Sequence, residues 1–367
     1  MSEVRCLVLH TEASVGFGGQ EIRIVAEARW LLDHGWPALI AGQPGSHLLR
    51  ESGRLGVPTV AIRMRRPLDV RALLTLRRLI AERDVALVHT HSSIDSWLGG
   101  LAGRSRRRPV VRSRHVTIGI PRRRALVYRL ADRIISSGEA AAQVVAAAGV
   151  PPARIVPIPP GVDTTRFHPA VTGAGVRDEL GLDEAPVVGL VANIRGSKGH
   201  DVFLDAARAV LAREPAARFL IVGDGIGFDD VRRRVAALGL EGAVRMTGFR
   251  RDVPEVMAAL DVLVLPSTRS EAASQVIPQA LAVGTPVIAT DVGGSRELVR
   301  DGDTGRLVGA GDPAALAAAI LDCLTDRGGA RAMARRGQAL VRERHSLDAA
   351  MTRTMAVYRE LLGGETC

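Results

Sequence analysis

Pro266-Ser-Thr-Arg-Ser-Glu271-Ala-Ala-Ser-Gln-Val-Ile-Pro-Gln279-Ala-Leu-Ala-Val-Gly-Thr-Pro286-Val-Ile-Ala-Thr-Asp291-Val-Gly-Gly294 is the stretch that decides how this chain is read. The run ahead of it, Asp261-Val-Leu-Val-Leu265, is short and apolar, as a parallel strand buried on both faces is. A loop with one acid, Glu271, comes next, and then a helix-like segment from about Val276 to Val283. Gly284-Thr-Pro286 ends that helix, and Pro286-Val-Ile-Ala289 starts another strand. Ligands of open α/β sheets collect in loops at the carboxyl ends of strands. Glu271 stands in such a loop. The helix start behind it offers free backbone N–H groups and a positive dipole end to an anion. The plain alternative is an ordinary β-loop-α unit with a solvated Glu.

Working outward, 367 residues predict two or three domains with ample core, and 47% hydrophobic residues are globular. No run of 18 apolar residues predicts a membrane span, and the N-terminus shows no signal-peptide pattern. Cys6, Cys323 and Cys367 have neither metal-ligand nor disulfide-framework spacing, so a reducing cytoplasm is expected. Charge is uneven. Residues 1–168 carry 25 Arg and no Lys against 13 acids, whereas residues 169–367 carry 24 basic and 26 acidic residues. A basic first half suits nucleic acid, an anionic membrane surface or a phosphorylated acceptor, or reflects a generally Arg-rich proteome. Of 49 basic residues one is Lys, at position 198. An ammonium is a compact point charge and a guanidinium a wide planar fork, so a narrow phosphate site discriminates between them.

From the N-terminus, Val4 to His10 reads as a buried strand. Gly16-Phe-Gly18-Gly19 follows, a loop allowing close backbone approach before a helix. Val85-Ala-Leu-Val-His89-Thr-His91 is a strand running into a polar loop. Alternate strand residues face opposite sides, and no third ligand is evident, so a metal is not expected there and an acceptor-lining loop is. His115 ends a further strand, Pro109–His115. Arg122-Arg-Arg124 reads as a solvated basic face or a contact for lipid headgroups. Pro157–Pro169 is a Pro-rich connector. After it the α/β alternation restarts. Val187–Ala192 leads into Asn193-Ile-Arg195-Gly-Ser-Lys198-Gly199, a loop with two cations suited to a diphosphate. Phe249 and Arg250 sit in a turn after Val244–Gly248. Leu347, Met351, Met355, Tyr358 and Leu361 form one stripe of a terminal helix.

The central string resembles the signature of the family 4 glycosyltransferases. In that family an acid is followed eight positions later by a second acid, then by Ala-x-Ala-x-Gly-x-Pro-Val-x-Ala-Thr-Asp-x-Gly-Gly. Glu271 matches the first acid, Gln279 replaces the second, and the match continues through Glu297-Leu-Val and Asp301-Gly-x-Thr-Gly-x-Leu-Val308. The resemblance extends over residues 5 to 362. It implies an α/β chain of GT-B fold, with two Rossmann-like domains facing across a cleft. The implied bounds are 1–168 for an acceptor domain, 169–345 for a nucleotide-sugar domain, and 346–367 for a helix crossing back to the first.

The implied activity is retaining transfer of a sugar from a nucleoside diphosphate to a glycan or glycolipid hydroxyl, with lipopolysaccharide or another cell-surface polysaccharide favoured. Residue by residue, Glu271 would orient the donor sugar through its hydroxyls, and His115 would hydrogen-bond the transferred sugar. Lys198, Arg195, Gly18 and Gly19 would hold the diphosphate, Ser274 and Gln275 would offer backbone contacts to the sugar, and Gln279 would meet the ribose. Phe249 and Arg250 would border the base, and His89 and His91 would line the acceptor side. Arg195 stands three residues before Lys198, where the commoner spacing is five. Gln keeps one acceptor oxygen for a ribose hydroxyl but loses the charge. No Asp-x-Asp stands in a fitting loop, so no metal or other cofactor is expected. The expected location is cytoplasmic, on the inner face of a membrane. A GT-B epimerase, an inactive relative and an Arg-rich nucleic-acid binder are the alternatives. The last is disfavoured by 3% aromatic content and by the lack of any nucleic-acid motif.

Overall fold

The computed structural model describes residues 6–269 and 271–363, leaving out the side chain of Arg122. Val4 and Arg5 of the expected first strand, Ser270, and the last expected residues including Cys367 lie outside the described residues. The chain divides into two compact units. One runs to Gly161 and resumes at Leu347, and the other spans Val162–Ser346. These divisions compare with the expected boundaries at 168/169 and 345/346.

The first unit carries seven strands: β1 (Leu7–Glu12), β2 (Ala38–Gly42), β3 (Thr59–Ala61), β4 (Val85–Thr90), β5 (Val110–Arg114), β6 (Arg133–Ser136) and β7 (Ile155–Pro157). All pairs are parallel, in the order β3-β2-β1-β4-β5-β6-β7. The chain winds outward from β1 to β3, then returns to the other side of β1. The carboxyl ends of β1 and β4 therefore flank a topological switch point, where such sheets hold ligands. β1 runs two residues past the expected end at His10 and brings in Thr11 and Glu12. The C-terminal helix, Leu347–Leu362, belongs to this unit. Its Met351, Met355 and Tyr358 are buried in one core with Val8 and Leu87 of the central strands and Ile24 of the helix Gly19–Asp33. Trp30 donates its indole N–H to Asp348 at 2.6 Å, and Arg133 pairs with Glu360.

The second unit repeats the winding with six strands: β8 (Val187–Val191), β9 (Arg218–Val222), β10 (Val244–Gly248), β11 (Val262–Leu265), β12 (Val287–Thr290) and β13 (Arg306–Val308). Their order is β10-β9-β8-β11-β12-β13, again all parallel. Alternation explains why these runs are apolar throughout. Val188, Leu190, Val262 and Val264 pack into the core of one face, and Val187, Val191, Leu263 and Leu265 into that of the other. The switch point lies between β8 and β11. The chain enters this unit at Val162 and leaves it at Ser346, and the two residues form a parallel bridge.

Cys6 is disulfide-bonded, which corrects the expectation that the cysteines form no bridge. Among the described residues no helix is long and apolar enough to cross a membrane.

Candidate functional site

The loops after β8 and β11 converge at the second switch point. The loop after β8 makes a short turn, Gly196–Lys198, and enters the helix His200–Leu211 through Gly199. Gly199 has φ +71°, and a Cβ there would lie 1.9 Å from the Pro266 carbonyl oxygen. Only glycine lets the two loops touch at this point. Thr268 N–H donates to the Ser197 carbonyl at 2.9 Å and ties the loops together. Across this seam the Lys198 ammonium meets Glu271 Oε2 at 2.6 Å, with side-chain exposures of 12% and 9%. Ser267 Oγ–H donates to the same oxygen at 2.8 Å. Both bonds fall on Oε2, so Oε1 is the oxygen left to accept from a ligand. His200, next in the chain, is held neutral, its pKa lowered to about 4 by burial and then by Lys198. The positive charge is thus concentrated on one ammonium.

Glu271 is fixed from beneath by the glycine pair of the central string. Gly293 has φ +55°, and a Cβ on it would lie 2.0 Å from the Glu271 carbonyl oxygen, while Gly294 N–H donates to that oxygen at 2.7 Å. The helix Val276–Val283 starts immediately after the loop, as expected, with Gln275 at its cap and no side chain capping it. Pro278 occupies its first turn, where a missing N–H leaves nothing unsatisfied. Ser274 is buried, and Gln275 and Gln279 are half-buried. Arg195 is exposed, three residues before Lys198.

The first switch point is built from different groups. Glu12, at the end of β1, accepts from Ser14 N–H at 2.7 Å and from the Gln20 amide. Asp95, in the first turn of the helix Ser93–Ser105, accepts from the backbone N–H groups of His91 and Ser92, both at 2.8 Å, and from Thr11 Oγ–H at 3.1 Å. Burial, and then the charge of Asp95, pushes the Glu12 carboxyl up to about 8. Burial also raises Asp95, to about 6, against the pull of its hydrogen bonds. Beside them stand four histidines. His10 Nδ1 lies 3.0 Å from His91 Nε2, and His91 Nδ1 lies 3.1 Å from His115 Nε2. His89 bonds Tyr358 of the C-terminal helix at 2.6 Å and Ser113 of β5 at 2.8 Å. Burial lowers the pKa of all four, that of His10 to about 4.

Residues 17–166 match the model of Glycosyltransferase Family 4, and residues 185–326 match that of Glycosyl transferases group 1. The chain is also 32% identical over 312 residues to the GDP-mannose-dependent alpha-(1-6)-phosphatidylinositol monomannoside mannosyltransferase of Mycolicibacterium smegmatis, covering 80% of this chain and 78% of that protein. The chain belongs to the family 4 glycosyltransferases. This family 4 chain is 36% identical over 283 residues to the D-inositol 3-phosphate glycosyltransferase of Nocardia farcinica, covering 69% of this chain and 62% of that protein. It therefore spans less than two thirds of that relative's own length. A solved structure of Anabaena Alr3699/HepE in complex with UDP and glucose covers 97% of this chain with a TM-score of 0.88 at 23% identity. That likeness shows the fold: two Rossmann-like units of the GT-B type.

Within this family 4 frame, the structure brings Lys198, Glu271, Ser274 and Gln275 to one switch point, with Gln279 on the helix that starts there. The Arg250 guanidinium forks onto both carboxylate oxygens of Glu179 at 2.7 Å and also pairs with Asp252. Phe249 is 55% exposed, with the Arg251 guanidinium 5.5 Å from its ring centre. His89 is fully buried with both ring nitrogens bonded, so it lines no acceptor surface. His89 and His91 are not on opposite faces either: their ring centres are 4.3 Å apart, as strand alternation requires, because successive residues face opposite sides and residues two apart share one. His91 itself lies just beyond β4, with its N–H on Asp95. Gly19 opens its helix as expected, but the Gly18 N–H donates to Glu21 Oε2 at 2.9 Å, placing a carboxylate where a phosphate was expected.

His10, His89 and His91 each bring one ring nitrogen within 4.8 Å of the others, a spacing open to a metal ion. Both nitrogens of His89 and of His91 already hold hydrogen bonds, so coordination would have to break them. His10, Glu12, Asp95 and Ser267 escaped the sequence reading. Ser267 lay in the central string and His10 closed the first expected strand, but neither residue was picked out.

Proposed function

We propose that this chain moves a sugar from a nucleoside-diphosphate sugar to a hydroxyl of a glycan or glycolipid, retaining the anomeric configuration and using no metal. The observation that carries this reading is the Lys198–Glu271 pair at the second switch point, beside a helix start. Breaking the sugar–phosphate bond leaves positive charge on the sugar and negative charge on the diphosphate. An ammonium and N–H groups fixed in advance stabilise the second more in the transition state than in the ground state. Lys198 supplies the charge, helped by exposed Arg195, and the N-terminus of the helix Val276–Val283 supplies backbone donors. Glu271 Oε1 accepts from hydroxyls of the donor sugar and sets the ring, with backbone at Ser274 and Gln275 assisting. Gln279 meets the ribose. A hydrogen bond from His115 to the transferred sugar is what the family resemblance implies. The acceptor oxygen replaces the diphosphate oxygen at the anomeric carbon, and its proton leaves with the diphosphate.

An anionic or phosphorylated acceptor is supported by the basic first half of the chain and by the inositol phosphate and phosphatidylinositol in the names of the two relatives above. A lipopolysaccharide core or a lipid-linked sugar belongs to this class. Leu68, Val70 and Leu74 are exposed among exposed Arg63, Arg65, Arg66 and Arg71, which suits a peripheral site on anionic lipid at the inner face of a membrane.

The test is transfer from UDP-, GDP- and ADP-sugars in EDTA to phosphorylated polyols and to glycolipids in anionic vesicles, with the product anomer read by NMR. A product of retained configuration from one donor supports the reading. Interconversion of the sugar nucleotide without any acceptor would replace it with an epimerase.

A further inference from the structure

His115, His91 and His10 form a line of three imidazoles joined by two N···N contacts of 3.1 and 3.0 Å. All three are neutral near pH 7, because burial, nearly complete at His10 and His91 and partial at His115, disfavours the imidazolium. A neutral imidazole has one N–H and one lone pair. Each contact needs one N–H, so only two arrangements satisfy both. Protons point inward along the whole line, or outward along the whole line. Inward, His115 donates from Nε2 and its Nδ1 is a bare acceptor. Outward, His115 accepts at Nε2 and its Nδ1 carries hydrogen. The far end of the line decides between them.

That end is His10 Nε2, which is buried and has no hydrogen-bond partner. His10 lies in β1, at the centre of the sheet, paired with Ile40 on one side and His89 on the other. The charge that acts on His10 is that of Glu27, one half of the buried ion pair Arg23–Glu27, at 2.6 Å on the helix Gly19–Asp33. Its halves act on different rings. The Glu27 carboxylate acts on His10, whereas the Arg23 guanidinium acts on His89, His91 and His115. Glu27 Oε2 is itself buried without a partner. A negative charge at the His10 end and a positive charge toward the rest favour N–H bonds directed toward Glu27. Inside a protein such a field is poorly screened.

We propose that His10 and His91 are positioning residues. Protons run inward, from His115 Nε2–H to His91 Nδ1 and from His91 Nε2–H to His10 Nδ1, leaving His115 Nδ1 as a lone-pair acceptor for a hydroxyl of the transferred sugar. The role of that hydroxyl rests on the proposed reaction; the tautomer does not. A sugar hydroxyl then donates to His115, and a ligand group offering only acceptors there is rejected. His89 stays outside the line, held by Tyr358 and Ser113 as a spacer behind it.

The experiment is long-range proton–nitrogen correlation NMR on the ¹⁵N-histidine protein without substrate, combined with steady-state kinetics. In the wild type, His115 is expected to show a protonated Nε2 and an unprotonated Nδ1. His10→Leu removes the acceptor at the inner end, so His115 becomes a mixture of tautomers. Its kcat is expected to fall about tenfold, the scale of one lost hydrogen bond, with the donor KM within about twofold. His10→Asn keeps an acceptor oxygen near the Nδ1 position and restores both readouts. Glu27→Gln keeps the packing, reverts the field, and raises the fraction of His115 with hydrogen on Nδ1. It serves as the second variant should His10→Leu not fold. Hydrogen on Nδ1 of His115 in the wild type, or a tautomer unmoved by His10→Leu and by Glu27→Gln, overturns the inference. Full activity in His115→Ala would remove its contact with the sugar, no sugar transfer by the wild type would overturn the proposed reaction, and the tautomer measurement would still decide the positioning.

Discussion

The two units wind their sheets the same way but fill their switch points with opposite chemistry. Between β8 and β11 the second unit keeps a charged pair, Lys198 and Glu271, both largely buried. Between β1 and β4 the first unit gathers two carboxyls and a set of histidines and pushes most of them toward their neutral forms. Glu12 rises to about 8, His10 falls to about 4, and His91 and His115 fall with it. A departing diphosphate needs fixed charge. Sugar hydroxyls need fixed donors and acceptors, and an unpaired charge beside them would only add desolvation. Under the proposed reaction one topology would serve an anion at one switch point and hydroxyls at the other, depending on what stands at the strand ends.

The largest effect should come from breaking the charged side. Lys198→Ala or Glu271→Ala should lower kcat by about 10²–10³-fold or more, the scale of losing one preorganised electrostatic group. Each single variant should also melt lower than the wild type, because truncating one member of a buried pair leaves its partner's charge unpaired, at roughly 3–5 kcal/mol. The double variant should melt above either single one while remaining inactive. Calorimetric melting together with initial rates checks this; single variants as active as the wild type would remove the charged site from the reaction.

On the neutral side, His115→Ala should reduce kcat about tenfold, one hydrogen bond's worth, and leave nucleoside-diphosphate affinity within about twofold. An equal loss of affinity would mean that the first unit holds the diphosphate as well, and the comparison would fail.

The carboxyl at the first switch point gives a pH signature. Native Glu12 holds its proton to about pH 8, against an ordinary 4.5, so the native state binds a proton that the unfolded chain releases. That contribution to stability is whole below pH 4.5 and is lost as pH rises toward 8. The melting temperature of Glu12→Gln, relative to wild type, should therefore climb across that window. A constant difference would mean that Glu12 is ionised in the native state.

The smallest effect is expected at Gln279. Restoring the acid with Gln279→Glu gives the ribose two acceptor oxygens in place of one and should lower the donor KM a few-fold at unchanged kcat. A changed kcat would place Gln279 nearer the reacting bond than the ribose.

These two sites differ equally in how far they could be read from sequence. The second was legible because most of its parts lie in one continuous string. The glycines that follow Asp291 are there because a side chain on Gly293 or Gly294 would collide with the carbonyls of Glu271 and Ala272, so the motif records packing as well as chemistry. Lys198 showed itself by being alone among arginines. The fold was legible too, since strands buried on both faces are apolar throughout and the helices between them are amphipathic.

The first site was not legible. His10 sits inside an apolar strand, 81 residues from its partner His91, and nothing local marks it. His89 and His91 were misplaced because alternation was applied to residues two apart, which a strand puts on the same face. The ion pair of Arg250 could not be read either, because its partner Glu179 lies 71 residues away. Local rules find sites whose parts each carry a local signal and miss sites whose parts do not.

The central claim is that the second switch point binds a nucleoside diphosphate through Lys198. Isothermal titration of UDP, GDP and ADP in EDTA, into the wild type and Lys198→Ala, tests it most directly. The account predicts that one of them binds the wild type and binds the variant at least about tenfold more weakly, as the loss of a charge-assisted contact requires. Binding of equal strength to both proteins, or no binding to the wild type, would contradict it.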